Sequence, residues 1–296
     1  MHSKTNFDRS KEDVGNVQLL EHVNVTVPDQ GLAAMFYVTG LGFTRDPYID
    51  FGTFNMWVNL GDQQFHLPVS KPQVVRGHVG VVVPELEGLL KRLGFAEKAL
   101  SETSFEFKEE GDHVKLTCPY GNTIKAYEPD KFPNMDLGMP YVEFKTPPGS
   151  STGIAKFYSS VIGCATLIES DSVRVAMGHN QELIYRETDE PLPEYDGHHI
   201  AIYVSNFSGP HQWLAERDLI SEESDQFQYR FQKIVDPDSG ELLYEIEHEV
   251  RSLSHQMYRR PLVNRNPATN FFTYRAAGVF TEFRLYLIAL KLIERK

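Results

Sequence analysis

The sequence has little cysteine, no excess of positive charge and no long apolar segment, and each lack excludes a class of protein. Its 296 residues include 2 cysteines, Cys118 and Cys164, which rules out a disulfide framework and fits a reducing compartment. The formal net charge is -12, so a nucleic-acid-binding surface is not expected. The most apolar run, "LYLIALKLI" near the C-terminus, is too short and too interrupted to span a bilayer. We therefore expect a cytoplasmic protein without nucleic-acid or membrane partners.

A repeated order of segments divides most of the chain into four modules. Each module begins with a strand-like run, continues into a helix and ends with three short strand-like runs bounded by turn residues. The helix motif Phe36-Tyr37, with its exit at Gly42, recurs at the same offset as Phe157-Tyr158 and Gly163. The pattern predicts an α+β fold of four βαβββ modules in two pairs, in which each pair forms a curved mixed sheet around a cavity. The modules are assigned to residues 19–73, 77–129, 139–190 and 197–249.

Neighbouring modules are expected to form the pairs. A first domain then covers residues 19–132 and a second covers 138–249, while residues 1–18 form a mobile leader and 250–296 a C-terminal arm and helix. The segment "TEFRLYLIALKLIER" predicts a helix with Thr281 as its N-cap. Its apolar surface is broad, so we expect it to dock on the body of the chain or to mediate homo-oligomer formation.

The opening strands of the modules place distinctive polar residues on one face. In "EHVNVTV" the alternating valines are predicted to face the helix, which turns His22, Asn24 and Thr26 to the opposite face. The equivalent strand heads of the four modules are His22, His78, Tyr141 and His199. If the first two modules share a sheet, His22 and His78 point into one cavity from opposite walls.

The module order, the helix exit "FYVTGLGF" and the turn "PYGNTI" before the last strand of the second module resemble the vicinal oxygen chelate superfamily. This superfamily includes glyoxalase I, the bleomycin resistance proteins and the extradiol ring-cleaving dioxygenases. The resemblance covers roughly residues 19–249. It implies a divalent metal ion between two paired modules, held by residues from the first and last strand of each.

Carried onto this sequence, the family pattern implies three histidine ligands in the first pair of modules. His22 and His78 come from the opening strands, and His66 stands in the last strand of module one, where Gln64 is a second choice on the same face. Imidazoles suit zinc, iron, copper and nickel. Lys125 occupies a position where the family usually has glutamate, and because an ammonium is not a ligand, it is expected to anchor substrate or to act in acid–base catalysis.

The remaining site predictions concern substrate contacts and the second pair of modules. Asn24, Gln64 and Tyr127 are expected to contact substrate. The second pair offers Tyr141, Ile184, His199 and either Leu243 or Tyr244, which is not a set of metal ligands, so Tyr141, His199 and Tyr244 are assigned to a second cavity. The alternating run Glu245, Glu247 and Glu249 is interpreted as a solvated strand face.

Two hypotheses about function follow from these residues. The first is a metal-dependent enzyme that acts on a small oxygenated substrate, an aromatic diol or a 2-oxo compound, in a dioxygenase-like or glyoxalase-like reaction. Its cofactor would be divalent Fe, Zn, Ni or Mn. The second, motivated by Lys125, is a metal-free protein that binds or sequesters a small molecule, as the bleomycin resistance relatives do. A scaffold that assembles through its C-terminal helix is a third alternative.

Overall fold

The structure is a computed structural model, in which we describe residues 8–49 and 51–264. The first seven residues of the predicted leader and the helix predicted from Thr281 lie outside the described residues. Within the predicted leader, Arg9–Glu12 form a short 3-10 helix, and the first strand begins at Val17.

Within the described residues, sixteen strands form two mixed sheets of eight strands each. The first sheet has the order β14-β15-β16-β13-β1-β4-β3-β2 and joins the first and fourth modules. Its strands are β1 (Val17–Asn24), β2 (Thr44–Arg45), β3 (Asn55–Leu60), β4 (Gln63–Pro68), β13 (His199–Val204), β14 (Ile220–Asp225), β15 (Gln228–Val235) and β16 (Leu242–Ser252).

The second sheet has the order β10-β11-β12-β9-β5-β8-β7-β6 and joins the second and third modules. Its strands are β5 (Gly77–Val82), β6 (Glu106–Glu110), β7 (His113–Thr117), β8 (Thr123–Tyr127), β9 (Gly138–Thr146), β10 (Thr166–Ile168), β11 (Ser172–Ala176) and β12 (Glu182–Glu187). The α-helices are α1 (Gln30–Ala34), α2 (Leu86–Leu100), α3 (Ser151–Phe157) and α4 (Ser208–Ala215), and π-helical segments Met35–Gly40 and Tyr158–Ile162 extend α1 and α3. The α+β fold of four βαβββ modules in two pairs is confirmed.

The prediction that neighbouring modules pair, with domains at 19–132 and 138–249, is wrong in its choice of partners. The antiparallel contact at the centre of the first sheet joins β1 to β13, and that of the second joins β5 to β9. Modules one and two instead pack through their helices, where Arg92 of α2 donates to the carbonyl of Gly40 at 3.3 Å. All four opening strands have one apolar face for a helix, so their alternation fits more than one pairing.

The apolar faces predicted from periodicity form the core. Val23, Val25 and Val27 are each 1% exposed and belong to the main hydrophobic cluster, as the alternation predicts. In α2, Leu89 and Leu93 are fully buried one turn apart. Each sheet therefore has a face covered by helices and an opposite face, which we call the helix-free face. The polar strand heads lie on the helix-free faces.

The chain that follows β16 returns to the first module. Asn59 of β3 donates its side-chain amide to the carbonyl of Val263 at 3.1 Å, and Asn264 donates to the carbonyl of Gly61 at 2.8 Å. The guanidinium of Arg260 forms an ion pair with the buried carboxylate of Asp46. Residues 253–264 thus pack beside the first sheet. Within the described residues, no helix is both long and apolar enough to cross a membrane.

Replacing Gly77 with alanine is expected to destabilise the contact between modules two and three. A Cβ atom at Gly77 would lie 1.8 Å from the carbonyl oxygen of Glu143 in β9, and because that atom is backbone it cannot move aside. We expect the free energy of unfolding to fall by about 3 kcal/mol or more. Chemical denaturation measures this loss.

Gly94→Ala in α2 is the matched control. A Cβ atom there meets no atom within 4 Å, so we expect this variant to be stabilised by roughly 0.5–1 kcal/mol. Equal stability of the two variants would show that Gly77 does not face β9.

Candidate metal centre

The first sheet brings two imidazoles and a carboxylate together on its helix-free face. His22 of β1 and His199 of β13 approach with their Nε2 atoms 3.4 Å apart. Oε2 of Glu249, from β16, lies 3.6 Å from Nε2 of His199. One ligand atom from each residue lies within 4.8 Å of the others, and all three residues are buried.

A β-bulge in β1 places a carboxylate beside His22. The register with β13 shifts between Leu20 and His22, so Glu21 is an extra residue and its side chain does not turn to the core as strict alternation requires. Nδ1 of His22 lies 2.8 Å from Oε2 of Glu21, and because a carboxylate only accepts, the ring donates from Nδ1. The lone pair of His22 is therefore on Nε2, which faces His199. Carboxylates commonly orient metal-binding histidines in this way.

The donor atoms fit a divalent metal ion in chemistry and spacing. Two nitrogens bound to one ion at about 2.1 Å, at roughly tetrahedral angles, lie about 3.4 Å apart. The Nε2 atoms of His22 and His199 have this separation. Two histidines and one carboxylate also leave further coordination positions of such an ion unfilled.

Both imidazoles are held neutral, the state in which histidine binds a metal. Burial lowers the pKa of His22 well below its ordinary value, and the nearby guanidinium of Arg251 lowers it further. Burial likewise lowers the pKa of His199, with contributions from Arg230 and Arg251. A neutral imidazole keeps a lone pair for the metal, so protons compete little for this site near neutral pH.

Two arginines hold the carboxylates around the centre. Glu249 forms ion pairs with Arg230 on one oxygen and with Arg251 on the other. Arg251 also donates to Oε2 of Glu21 at 2.7 Å. Burial alone would lower the pKa of Arg251, but the facing carboxylates of Glu21 and Glu249 raise it above its ordinary value. Burial raises the pKa of Glu21 even though Arg251 opposes the shift.

His66 lies next to the centre, but its lone pair and that of His22 do not converge on one point. The rings of His22 and His66 are stacked with centroids 3.7 Å apart and planes 25° from parallel, so their in-plane lone pairs run side by side. Trp57 stacks on the other face of His66, also at 3.7 Å. Gln64 accepts a hydrogen bond from Nε2 of His66 at 3.1 Å and donates to Asp46 and Asn59. The predicted ligand His66 is therefore placed as a wall of the site.

The structure separates His78 and Lys125 from His22. Both lie in the second sheet, on β5 and β8, so the predicted trio of His22, His66 and His78 is not assembled. Lys125 consequently does not face the centre described above. Tyr127 lies in the second sheet as well. The physical reason is the pairing of modules, since β1 lies between β13 and β4 and not beside β5.

The other predicted site residues divide between the two sheets. Asn24 is opposite His199 on one side and His66 on the other, and Gln64 binds His66, so both lie at the centre. His199, assigned to a second cavity, belongs to the first centre. Tyr141 lies in the second sheet. Tyr244 packs against Phe144 and Tyr185, with ring centroids 6.0 and 5.7 Å away. It belongs neither to the centre around His22 nor to the residues around Tyr141.

The sequence interpretation missed Glu249, which is buried and not part of a solvated face. In the parallel pair of β13 and β16, His199 is opposite Glu247 and Ala201 is opposite Glu249. Glu249, which reaches the centre, therefore lies in the second half of an 11-residue strand. Aligning the last strand by the turn before β16 selects Leu243 or Tyr244 as the position that reaches the site. The length of this strand-like segment, with glutamates at alternate positions, is the feature of the sequence that could have pointed to Glu249.

Comparisons with known proteins establish the fold. No family model and no curated protein matches the sequence. The structure is similar to that of a "putative dioxygenase" from Bacillus subtilis subsp. subtilis strain 168, at 15% identity and a TM-score of 0.54, covering 93% of this chain and 96% of that chain. It is also similar to glyoxalase I from Zea mays, at 13% identity and a TM-score of 0.53, covering 83% and 95%. The chain therefore has the fold that these two structures share, which agrees with the fold expected from the resemblance in its sequence.

Proposed function

We propose that the protein is a metal-dependent enzyme of the vicinal oxygen chelate type that acts as a dioxygenase on a small substrate with two adjacent oxygens, such as an aromatic diol. The observation that carries the proposal is the convergence of His22, His199 and Glu249. Two histidines and one carboxylate are the donor set of non-haem iron(II) oxygenases, which favours iron among the divalent metals considered. Bound iron(II) would supply a Lewis-acid centre for the substrate oxygens.

The residues around the three ligands have separate tasks in this proposal. Glu21 fixes the ring of His22 so that Nε2 faces the centre, and Arg251 holds Glu21 in turn. Arg230 and Arg251 orient the carboxylate of Glu249. Such supporting contacts orient ligands, and their loss typically lowers metal affinity or activity by about 10- to 100-fold.

His66 is a candidate substrate contact. The side-chain amide of Gln64 donates to Asp46 and Asn59, so its oxygen is the atom that accepts from Nε2 of His66. The ring then carries its lone pair on Nδ1. Burial lowers the pKa of His66 well below its ordinary value, which keeps the ring neutral and makes it a weak base. The neutral ring can accept a hydrogen bond from a substrate hydroxyl through Nδ1.

Metal analysis combined with oxygen uptake tests the proposal. Protein purified without chelator and reconstituted anaerobically with iron(II) is expected to hold about one iron per chain and to consume oxygen with a panel of catechols. A chelator should remove both the metal and the activity. Formation of S-lactoylglutathione from methylglyoxal and glutathione, measured on protein loaded with zinc or nickel, distinguishes a glyoxalase-like reaction.

His22→Ala and His78→Ala form a matched pair of variants, because each histidine lies on the opening strand of its module and the two positions correspond by register. We expect the first to lose the iron and the second to keep it. Equal iron content in the two variants, or tight iron binding that needs His78, would contradict the assignment. Ligand binding that is unaffected by chelator, without turnover of any substrate, would instead favour a metal-free binding protein.

A further inference from the structure

The second sheet has a separate cavity of about 750 Å³ on its helix-free face. Its lining includes His78, Lys125, Tyr127, Phe132 and Tyr141. Sites for small ligands commonly have volumes of about 300–1,000 Å³. The cavity is therefore large enough for a small molecule, and its residues are not part of the centre formed by His22, His199 and Glu249.

The donors at the equivalent positions of this sheet are unsuited to a metal ion. By strand register, Lys125 corresponds to His66, because it is opposite Gly80 as His66 is opposite Asn24. Tyr141 similarly corresponds to His199. Ile184 corresponds to Glu249, because Ile184 lies two residues after the partner of Tyr141 and Glu249 lies two residues after the partner of His199. An ammonium, a phenol and an aliphatic side chain thus stand where the first sheet has His66, His199 and Glu249, while His78 keeps the imidazole of His22.

A chain of hydrogen bonds fixes the polar groups on one wall. Nδ1 of His78 lies 3.6 Å from Glu143, and Nε2 lies 3.0 Å from the hydroxyl of Tyr141, which is 2.9 Å from that of Tyr127. Glu143 is also paired with Arg186 at 3.2 Å. Burial lowers the pKa of His78 to about 3, with further contributions from Lys125, His113, Arg186 and Lys115. The imidazole is therefore neutral and surrounded by cationic side chains.

Two lysines on this face form no close ion pair in the described part of the chain. The carboxylates that line the cavity are Glu12, Asp13, Glu143 and Glu182, of which Glu143 is paired with Arg186 and Glu182 with Arg174. Lys115 and Lys125 are opposite each other in neighbouring strands, so their side chains lie on the same face of the sheet. Neither forms an ion pair with a described residue. The lining arginine Arg174, by contrast, is paired with Glu169 at 3.0 Å and Glu182 at 2.7 Å. An anionic ligand would neutralise the lysines.

Three aromatic rings stand together beside Lys125. The ring centroids of Tyr127 and Phe132 are 5.2 Å apart, and those of Phe132 and Tyr141 are 6.2 Å apart. Such a group offers flat apolar surface to an aromatic ring. The cavity therefore combines an aromatic wall with one lysine, Lys125, that has no close ion pair among the described residues.

We propose that the second sheet holds a metal-free binding site for a small aromatic carboxylate, in which Lys125 pairs with the carboxylate and Tyr127, Phe132 and Tyr141 contact the ring. Lys115 does not line the cavity, but it is opposite Lys125 in β7 and adds positive charge nearby. This site is independent of the proposed iron centre, because it shares no side chain with it.

Calorimetric titration of the full chain with benzoate, in the presence of EDTA, tests the site. We expect benzoate to bind at least about tenfold more tightly than benzamide, which has the same shape without the charge, and than acetate, which lacks the ring. Lys125→Met should weaken benzoate binding at least about tenfold. Lys91→Met is the control, since Lys91 lies on α2, away from this face of the sheet, with a side chain that is 72% exposed.

Two further variants separate this site from the iron centre and from a folding defect. Phe132→Leu should weaken benzoate but not acetate, and His199→Ala should leave benzoate binding unchanged while it lowers iron content. The proposal is overturned by benzoate affinity that is the same in Lys125→Met, by binding that is lost in His199→Ala, or by no detectable binding. Inorganic phosphate that binds more tightly than benzoate would show a phosphate site and would also overturn it.

Discussion

Glu249→Gln is expected to weaken iron binding by more than about 100-fold and to abolish oxygen uptake while the protein remains folded. The substitution keeps the size of the side chain but removes the carboxylate that lies 3.6 Å from Nε2 of His199. Loss of a supporting contact costs about 10- to 100-fold, so loss of a ligand should exceed this range. The two arginines that bind Glu249 keep other carboxylate partners, since Arg230 also pairs with Glu247 and Arg251 with Glu21.

Glu247→Gln is the matched control for this prediction. Glu247 lies two residues earlier on the same face of β16, is bound by Arg230 at 2.5 Å and lies 3.5 Å from Nδ1 of His199, but it is not one of the three converging donors. Its loss is therefore expected to lower iron affinity by no more than the about 10- to 100-fold of a supporting contact. Iron titration followed by a competing chelator compares the variants. If Glu247→Gln lowered iron affinity as strongly as Glu249→Gln, the assignment of the carboxylate ligand would be wrong.

Arg251→Met is expected to lower the free energy of unfolding of the metal-free protein by about 3–5 kcal/mol. Arg251 is 5% exposed and forms ion pairs with Glu21 and Glu249, which are also buried. Removal of one member of a buried ion pair leaves a charge without a partner, and this costs about 3–5 kcal/mol. The same change should weaken iron binding, because Glu21 and Glu249 lose the group that positions them. Urea denaturation and iron titration measure the two effects.

Two other variants show whether the loss comes from uncompensated charge. Arg217→Met removes a more exposed guanidinium, paired with Glu216 at 3.7 Å, and is expected to change stability by less than about 1 kcal/mol. The double variant Glu21→Gln with Arg251→Met also removes one of the two buried carboxylates that lose their partner. It should therefore regain part of the lost stability. A double variant that is as unstable as the sum of its single changes would indicate lost packing and not charge.

The module order was predictable from the sequence because it rests on local patterns. The alternating valines at 23, 25 and 27 and the leucines at 89 and 93 of α2 are buried as their spacing indicates. The Phe-Tyr pairs at residues 36–37 and 157–158 lie in equivalent buried positions where an α-helix continues into a π-helical segment. Such features depend on residues close in the chain, so a single sequence contains them.

The pairing of modules was not predictable from periodicity, since it joins strands far apart in the chain. β1 pairs with β13, and the apolar faces of the four opening strands are alike. The metal-binding capacity of the residues that each pairing brings together is a better criterion for choosing the partners. Combining modules one and four gathers His22, His199 and Glu249, whereas modules two and three keep Lys125 and Ile184.

The position of Glu21 could not have been predicted from alternation. Strict alternation places Glu21 on the core side with Val23, and the bulge before His22 places its carboxylate on the imidazole instead. A bulge depends on the register between two strands, which becomes defined only when β1 meets β13. The orientation of His22 is therefore a consequence of the tertiary structure.

The most direct test of the iron centre is anomalous diffraction at the iron edge from crystals of the reconstituted protein. The account predicts one anomalous peak about 2.0–2.2 Å from Nε2 of His22, Nε2 of His199 and an oxygen of Glu249. A peak beside His78, or an iron-loaded crystal without a peak among these three residues, would contradict it.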